Sequence, residues 1–405
     1  MREKAKVVKP CAAWYRVAQM VCGVVARTVF RRRVLRNEIK HAKGAFVVVA
    51  NHQCALDFVN LIGLCPRPMT FVISKAFFST LPIGGILRKL AVIPKQQFQT
   101  GLADLRRMKA VVQAGEPLVV YPAGLMCEDG LSTPIPADTY SFLKWLDCDV
   151  YVAKNEGSYF VMPKWAKGIR PGRTEIDVYR LFTQKQLRET DVDEVRRITD
   201  EALLFDAYRK QEQMRTKYVG GDDVRGLQYV LCVCPHCGKE YTLQPKGKNT
   251  LCCTACGYAL KSDRCGLLTR VSDFGPEHRY VSDIARGIYE GMLQQVRDGS
   301  ITTLSADADI LLLDAQKHRF VPAGSGCVTV GGQRVKLQGM LQGEPFSLDI
   351  DAVNFPTLPF SPGKSLDIQH AGEIYRLHLH DPRVGMKLIN LIKIMSQLRA
   401  EAAAQ

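Results

Sequence analysis

The run Ala45-Phe-Val-Val-Val-Ala50, leading straight into Asn51-His-Gln-Cys-Ala-Leu-Asp57, constrains the fold more than any other stretch of this 405-residue chain. Three valines between alanines and a phenylalanine lack the polar alternation of a half-exposed strand, so the run predicts a strand buried on both faces, as in a largely parallel α/β sheet. Open sheets of that kind carry their chemistry at the carboxyl ends of the strands. The chain is therefore expected to turn at Asn51 and to present His52 at that edge.

Histidine is the side chain whose unperturbed pKa suits proton transfer near neutrality. On one continuous helix Asp57 would lie roughly 140° from His52, so the two can meet only if the chain bends between them. A strand end followed by a short helix supplies that bend. If Asp57 holds one imidazole nitrogen, the other can take a proton from a hydroxyl. No Gly-x-Ser-x-Gly motif accompanies the pair, so the hydroxyl can belong to a substrate. A loop or core histidine with no catalytic role is the other reading of these two residues alone.

The neighbouring blocks bear on that choice. Asn51-His52-x-x-x-x-Asp57 resembles the first signature of the glycerolipid acyltransferases, specifically the PlsC-like 1-acylglycerol-3-phosphate acyltransferase family. Ser74-Lys75-Ala-Phe-Phe-Ser-Thr-Leu81-Pro82-Ile83-Gly84-Gly85, followed by Ala91-Val-Ile-Pro-Lys95, is similar to its second block, and Leu118-Val-Val-Tyr-Pro-Ala-Gly124 to its third. The order and spacing agree across roughly residues 40 to 170. The resemblance implies direct acyl transfer to a lysophospholipid hydroxyl from acyl-CoA or acyl-carrier protein, with His52 as general base oriented by Asp57. It also implies an acceptor site built from Asn51, Lys75, Lys95, Tyr121, Pro122 and Gly124. Cys54 occupies a variable position of the signature and is read as a spectator.

The third block departs from the family's usual Phe-Pro-Glu-Gly-Thr-Arg. Ala123 stands in place of the glutamate, and Leu125 and Met126 in place of threonine and the phosphate-binding arginine. A guanidinium grips phosphate bidentately and a thioether cannot replace it, so a phosphomonoester would rest on Lys75, Lys95 or a basic residue from elsewhere. Glu128-Asp129-Gly130 reads as a turn. Gly157-Ser-Tyr-Phe-Val-Met-Pro-Lys-Trp165 resembles a stretch that follows the third block in bacterial members, where Tyr159, Phe160 and Trp165 either line an acyl channel or pack in the core.

Charge is concentrated at the start of the chain: of a net +15, residues 1–50 hold twelve Lys/Arg against Glu3 and Glu38. Arg16, Gln19, Gly23, Arg27 and Arg31 recur at spacings of three and four, one narrow helical stripe, and Trp14, Val17, Met20, Val21, Val24, Val25 and Phe30 fill the rest of the circumference. With Arg31-Arg32-Arg33 behind it, such a helix reads as an interfacial anchor near anionic lipid; the alternative is a helix packed on the catalytic domain with its basic stripe in water. Arg16 and Arg27 break any span of about 20 apolar residues and the apolar core of a signal peptide. The basic residues are interleaved with aliphatics rather than stacking aromatics, so no nucleic-acid partner is expected. The implied location is the cytoplasmic face of the bacterial cell membrane, peripheral or monotopic.

Strands are expected at Thr70–Ser74, Leu118–Tyr121, Asp149–Ala153 and Glu175–Phe182. A helix carrying Leu102, Leu105, Met108, Val111 and Val112 should end near Gly115. From Asp191 to about Lys217 the chain is charged and helical until Gly220-Gly221-Asp-Asp breaks it. Cys234-Pro-His-Cys237-Gly and Cys253-Thr-Ala-Cys256-Gly then follow, two knuckles fifteen residues apart. This is zinc-ribbon spacing; a disulfide pair and a rubredoxin-like iron site are the alternatives. Four thiolates leave a zinc ion no open position, so the metal would be structural. Cys232 and Cys252 break the spacing, and His236 reads as exposed. Fourteen cysteines without a pairing framework indicate a reducing compartment.

After a helix around Val281–Val296, short strands are expected at Ile310–Asp314, Arg319–Val321, Cys327–Val330, Arg334–Leu337, Phe346–Ile350, Leu366–Ile368 and Tyr375–Leu379. A helix opened by Asp381-Pro382 follows, with Leu388, Ile389, Ile392, Met395 and Leu398 on one side. The set resembles a pleckstrin-homology or GRAM-type barrel. The expected architecture is thus α/β: a basic membrane-associating helix at 1–40, a mixed-sheet acyltransferase domain at 41–220, a zinc ribbon at 221–270 and a small barrel at 271–405.

Overall fold

The computed structural model describes residues 9–75, 78, 84–95, 101–314, 316–352 and 357–403. The chain divides into two compact bodies. The first comprises Met1–Cys127, Leu131–Met162 and Ile169–Lys210, and the second comprises Glu128–Gly130, Pro163–Gly168 and Gln211–Gln405.

A seven-stranded sheet organises the first body. Its strands are β1 (Arg33–Asn37), β2 (Phe46–Ala50), β3 (Thr70–Ser74), β4 (Ile93–Lys95), β5 (Leu118–Val120), β6 (Asp149–Glu156) and β7 (Glu175–Phe182), in the order β1-β7-β6-β2-β5-β3-β4. All neighbours are parallel except β6 and β7. The valine run is the middle strand, with all five residues buried. Val47 and Val49 join a core with Met108, Val111, Leu143 and Val195 from helices Leu102–Gln113, Asp138–Leu146 and Val192–Leu203. Phe46, Val48 and Ala50 face the opposite core with Tyr15, Leu61 and Met69. Helices thus cover both faces, the environment in which a strand needs no polar alternation.

The N-terminal helix Ala12–Thr28 corrects the stripe read from its sequence. Tyr15 and Ala26 are buried, and the Gln19 carboxamide donates to the carbonyls of Ile62 and Cys65 at 3.2 and 3.0 Å. One member of the supposed solvent stripe therefore seats the helix, because a long amide can satisfy two carbonyls that the turn at 62–65 leaves open. Trp14, Val17, Met20, Val21 and Val24 stay exposed between 37 and 68%, alongside exposed Arg16 and Arg27. Among the described residues no helix is long and apolar enough to cross a membrane. The charged helical region also divides, into Val192–Leu203 and Ala207–Met214, with Asp191 capping the first through Glu194 N–H at 2.8 Å.

The second body holds two antiparallel sheets. The smaller one has the order β11-β10-β9-β8, from β8 (Leu243–Lys246), β9 (Thr250–Cys253), β10 (Ala259–Ser262) and β11 (Leu268–Arg270). The larger comprises β12 (Thr303–Asp314), β13 (Arg319–Gly331), β14 (Arg334–Leu341), β15 (Glu344–Asp351), β16 (Phe360–Ser361), β17 (Ser365–His370) and β18 (Glu373–Leu379). Its order is β15-β14-β13-β12-β18-β17-β16. Phe346 of β15 and Tyr375 of β18 contact with ring centroids 5.2 Å apart despite three intervening strands, so the sheet is strongly coiled.

Two strands expected at Arg319–Val321 and Cys327–Val330 are one strand, β13. The intervening Pro322, Gly324 and Gly326 continue the strand, and the glycines are where β14 approaches: a Cβ on Gly324 would sit 1.9 Å from the Met340 carbonyl oxygen. The seventh strand is instead the two-residue β16, too short to leave a periodic signal. The C-terminal helix Gly385–Ala403 follows a short 3-10 turn whose Asp381 carboxylate accepts from Arg383 N–H at 3.0 Å. It buries Leu391 and Ile394 as well as Leu388, Ile389, Ile392 and Met395, a wider face than one stripe.

Candidate functional site

The end of β2 is tied down before any reactive group appears. Asn51 donates through Nδ2 to the Asn155 carbonyl at 2.8 Å and accepts from Asn155 N–H at 2.7 Å. Both ends of its carboxamide are spent on β6, at the point where the parallel pairing of Ala50 with Ala153 ends. Asn51, expected among acceptor-binding residues, is thus a buried brace that fixes the direction in which His52 leaves the strand.

A helix begins at Asp57, and this supplies the bend that the spacing required. The Asp57 carboxylate is fully buried. Its Oδ2 accepts from the backbone N–H groups of Gln53 at 2.7 Å and Cys54 at 2.9 Å, and lies 3.0 Å from His52 Nδ1. Two backbone donors and the imidazole thus converge on one buried oxygen. A carboxylate at Nδ1 selects the tautomer with the proton on that nitrogen and leaves Nε2 as the basic lone pair. The imidazole side chain remains 20% exposed, enough to meet a substrate.

Tyr121 follows β5, the neighbour of β2, and its ring lies over His52 with centroids 4.5 Å apart. Burial, reinforced by the Asp57 charge, pushes its phenol well above the ordinary range, and its hydroxyl has no partner among the described residues. The chain then reverses through Pro122 and Ala123. Gly124 N–H donates to the Tyr121 carbonyl at 2.9 Å, with Gly124 at φ +68°, where a side chain would be strained. Lys75 follows β3 directly and Lys95 ends β4; the β3–β4 register pairs Ser74 with Lys95. Both lysines stand at the carboxyl edge that carries His52, Lys75 exposed and Lys95 partly buried. Burial lowers the Lys95 pKa, with Asp104 acting against it. Ala76, Phe77 and Ser79–Ile83 of the second block lie outside the described residues.

Cys54 is buried, and burial followed by the Asp57 charge pushes its thiol well above the ordinary range. A thiol held protonated is a poor nucleophile, consistent with a spectator. Tyr159 and Phe160 are buried and meet Tyr208 edge to face at 5.6 and 5.0 Å. They pack in the core, as Trp165 does in the second body.

Sequence reasoning missed two supports. Gln53 is fully buried; its side-chain carbonyl accepts from Tyr159 N–H at 3.1 Å, and its amide reaches Glu156 at 3.5 Å. Asn155-Glu156 is a polar pair at the carboxyl end of a strand next to β2, the position that the sheet-edge rule marks. Burial pushes Glu156 up from 4.5 to about 7. Because the folded state prefers the neutral acid, this contribution to stability is full below the unfolded value of 4.5 and is lost as pH rises through about 7. Glu156→Gln should therefore abolish a loss of about 3 kcal/mol over that window. Unfolding of the variant and parent at pH 5 and pH 8 measures it, and equal pH dependence of the two would refute it.

The second body carries a cluster of four sulfurs. Cys234, Cys237, Cys253 and Cys256 offer Sγ atoms all within 4.8 Å of one another, and Cys234–Cys256 and Cys237–Cys253 lie at 3.9 and 3.8 Å. A tetrahedral ion with sulfur at ~2.3 Å requires S···S edges of about 3.8 Å, whereas a disulfide requires about 2.05 Å. The donor set fits a four-thiolate metal. Each knuckle glycine closes its turn, Gly238 N–H on Cys234 O and Gly257 N–H on Cys253 O at 3.0 and 2.9 Å. Cys232, Cys252 and exposed His236 are outside the cluster.

Residues 31–153 match the family model described as Acyltransferase. That stretch contains His52, Asp57, Lys75, Lys95, Tyr121, Pro122 and Gly124, and the match supports an acyltransferase domain there. Among solved structures, the chain is similar to the 1-acyl-sn-glycerophosphate acyltransferase PlsC of Thermotoga maritima, at 18% identity and a TM-score of 0.40, over 50% of this chain and 78% of that one. A second likeness is to the Ran-binding domain of the nuclear complex component Nup2 of Ashbya gossypii, at 16% identity and a TM-score of 0.20, over 24% of this chain and 97% of that one. No curated protein matches the chain.

Proposed function

We propose that this protein is an O-acyltransferase that moves a fatty acyl group from acyl-CoA or acyl-carrier protein to the free hydroxyl of 1-acylglycerol 3-phosphate, giving phosphatidic acid. The observation that carries the reading is the His52–Asp57 pair, at 3.0 Å, in a stretch that matches the Acyltransferase model. His52 Nε2 takes the hydroxyl proton, and the acceptor oxygen bonds to the thioester carbonyl carbon. The C–S bond then breaks, the thiolate recovers the proton from the imidazolium, and an ester and a free thiol result.

A different lyso-lipid acceptor is the second reading, favoured by Ala123 and Met126 where the family's third block has its acid and its arginine. Lys75 and Lys95 are the proposed cations for an acceptor phosphate. Tyr121, Pro122 and Gly124 would form the wall beside it.

The protein is proposed to work as a peripheral or monotopic protein on the cytoplasmic face of the bacterial membrane. Support comes from the exposed Trp14, Val17, Met20, Val21 and Val24 beside Arg16 and Arg27, a composition suited to an anionic lipid interface. The four-cysteine cluster is proposed to hold a structural zinc in a ribbon at 221–270. The strand order of the larger sheet and the helix after it support a pleckstrin-homology or GRAM-like module at 271–405.

The test incubates the purified chain with acyl-CoA or acyl-carrier protein, vesicles of anionic phospholipid and a panel of lyso-lipids. Turnover on 1-acylglycerol 3-phosphate is expected, with sedimentation on the vesicles. Turnover only on another lyso-lipid selects the second reading. Vesicle binding with no turnover on any acceptor would replace the enzyme by a lipid-binding scaffold.

A further inference from the structure

The residues on either side of His52 both spend their side chains on the end of β6. Asn51 binds the main chain of Asn155. Gln53, fully buried, crosses to the turn that follows: its Oε1 accepts from Tyr159 N–H at 3.1 Å and its Nε2 donates to Glu156 Oε2 at 3.5 Å. The partners settle how this amide is oriented. A backbone N–H can only donate, so the carboxamide oxygen must face Tyr159 and the NH₂ must face an acceptor. Tyr159 lies in the one-turn helix Ser158–Val161, and the first amides of a helix have no partner within it; the Gln53 oxygen supplies one.

Glu156 is the acceptor at the other end. It closes β6 directly opposite Glu175 of β7, and Lys210 Nζ sits 3.4 Å from Glu175. Burial raises the Glu156 pKa; Lys154, Lys210 and the Gln53 amide act against burial, and Glu175 acts with it. Either form of the carboxyl keeps an oxygen that accepts, so the tie to Gln53 survives titration. The main chain of Gln53 meanwhile serves the relay: its N–H is 2.7 Å from Asp57 Oδ2, the same oxygen that lies 3.0 Å from His52 Nδ1. Fixing the Gln53 side chain therefore fixes a donor to Asp57. Glutamine suits both ends of this tie, whereas glutamate has no donor for Glu156 and methionine offers neither a donor nor a strong acceptor.

We propose that Gln53 and Glu156 are positioning residues for the His52–Asp57 relay, tying the turn that carries the histidine to the end of β6 so that Gln53 N–H stays on the Asp57 carboxylate. Every group in this tie belongs to the first body. For its effect on rate the proposal rests on the acyl-transfer reading, whereas the tie itself can be observed without turnover. A displaced base is costly in the chemical step, and losing an interaction realised in the transition state lowers kcat and kcat/KM together. The kcat should therefore fall while the KM values for acceptor and thioester hold.

The experiment uses the full chain with Gln53→Met and Glu156→Met, which keep side-chain length but cut the tie from either end, and Glu156→Gln, which keeps an acceptor oxygen. Hydrogen exchange at residues 51–57 is the primary readout, with residues 46–50 of β2 as the internal control. Both methionine variants should raise exchange at 51–57 and leave 46–50 unchanged. They should also lower kcat about tenfold, with both KM values within about threefold of the parent. Glu156→Gln should return exchange and kcat to near parental values. Parental exchange at 51–57 in a folded methionine variant overturns the proposal, and so does exchange raised equally at 46–50. If Gln53→Met fails to fold, the two Glu156 variants make the same comparison from the other partner. Absence of turnover in the parent, with exchange at 51–57 raised in the variants, overturns the acyl-transfer reading alone.

Discussion

Replacing His52 with alanine should lower kcat/KM by about 10²–10⁴-fold, the range expected for loss of a general base, while leaving the unfolding temperature close to that of the parent. The imidazole is 20% exposed and its polar contact among the described residues is with Asp57, so truncation removes the ring contact with Tyr121 but leaves the two backbone N–H groups on the carboxylate. Asp57→Asn is expected to behave differently. Its Oδ2 holds two backbone N–H groups as well as the imidazole. An amide oxygen in that position keeps the three contacts but without the carboxylate's charge, and hydrogen bonds to an ionised acceptor are roughly twice as strong as neutral ones. Asp57→Asn should therefore weaken both the hold on His52 and stability, whereas His52→Ala loses only activity. A His52→Ala protein that retains turnover within about threefold of the parent would remove the relay from the mechanism.

The contrast between these substitutions follows from what was legible in the chain. The valine run announced the central strand because burial on both faces erases alternation, and the five-residue spacing announced a bend because no continuous helix brings His52 to Asp57. The backbone donors of Gln53 and Cys54 left no such trace: any residue supplies an N–H, so side-chain identity is silent about it. Asn51, which the family resemblance places on the acceptor side, has its side chain bonded to the main chain of residue 155, more than a hundred positions away. The N-terminal helix divides in the same way. Its apolar residues were visible, but which of them face water depends on Tyr15, Gln19 and Ala26 docking against residues distant in sequence. In the second body, β13 was cut in two because glycine signals both turns and close strand approach, and only the presence of β14 distinguishes them.

Exchanging Cys234 and Cys253 for serine should have the largest effect on folding. The smaller sheet has four strands of three or four residues and buries about one leucine from each, Leu243, Leu251, Leu260 and Leu268. Full burial of a leucine contributes about 1.5–3 kcal/mol relative to exposure, and ordering each residue's backbone costs about 1–2 kcal/mol, so this sheet cannot hold itself together by apolar burial alone. Apparent binding of zinc by structural four-ligand sites reaches about 10–16 kcal/mol, as large as the whole stability of an ordinary domain. The double variant should therefore retain well under one zinc per chain, and residues 231–270 should become protease-sensitive. Treatment of the parent with a strong chelator under reducing conditions should reproduce both changes. Four sulfurs at S···S separations of 3.8 and 3.9 Å would fill the shell of a tetrahedral ion and leave no vacant position for a thioester carbonyl, so a metal held there would act in folding. Metal-free protein that keeps the unfolding temperature and protease resistance of the parent would reject the ribbon and leave the four thiols as a cluster without a stabilising role.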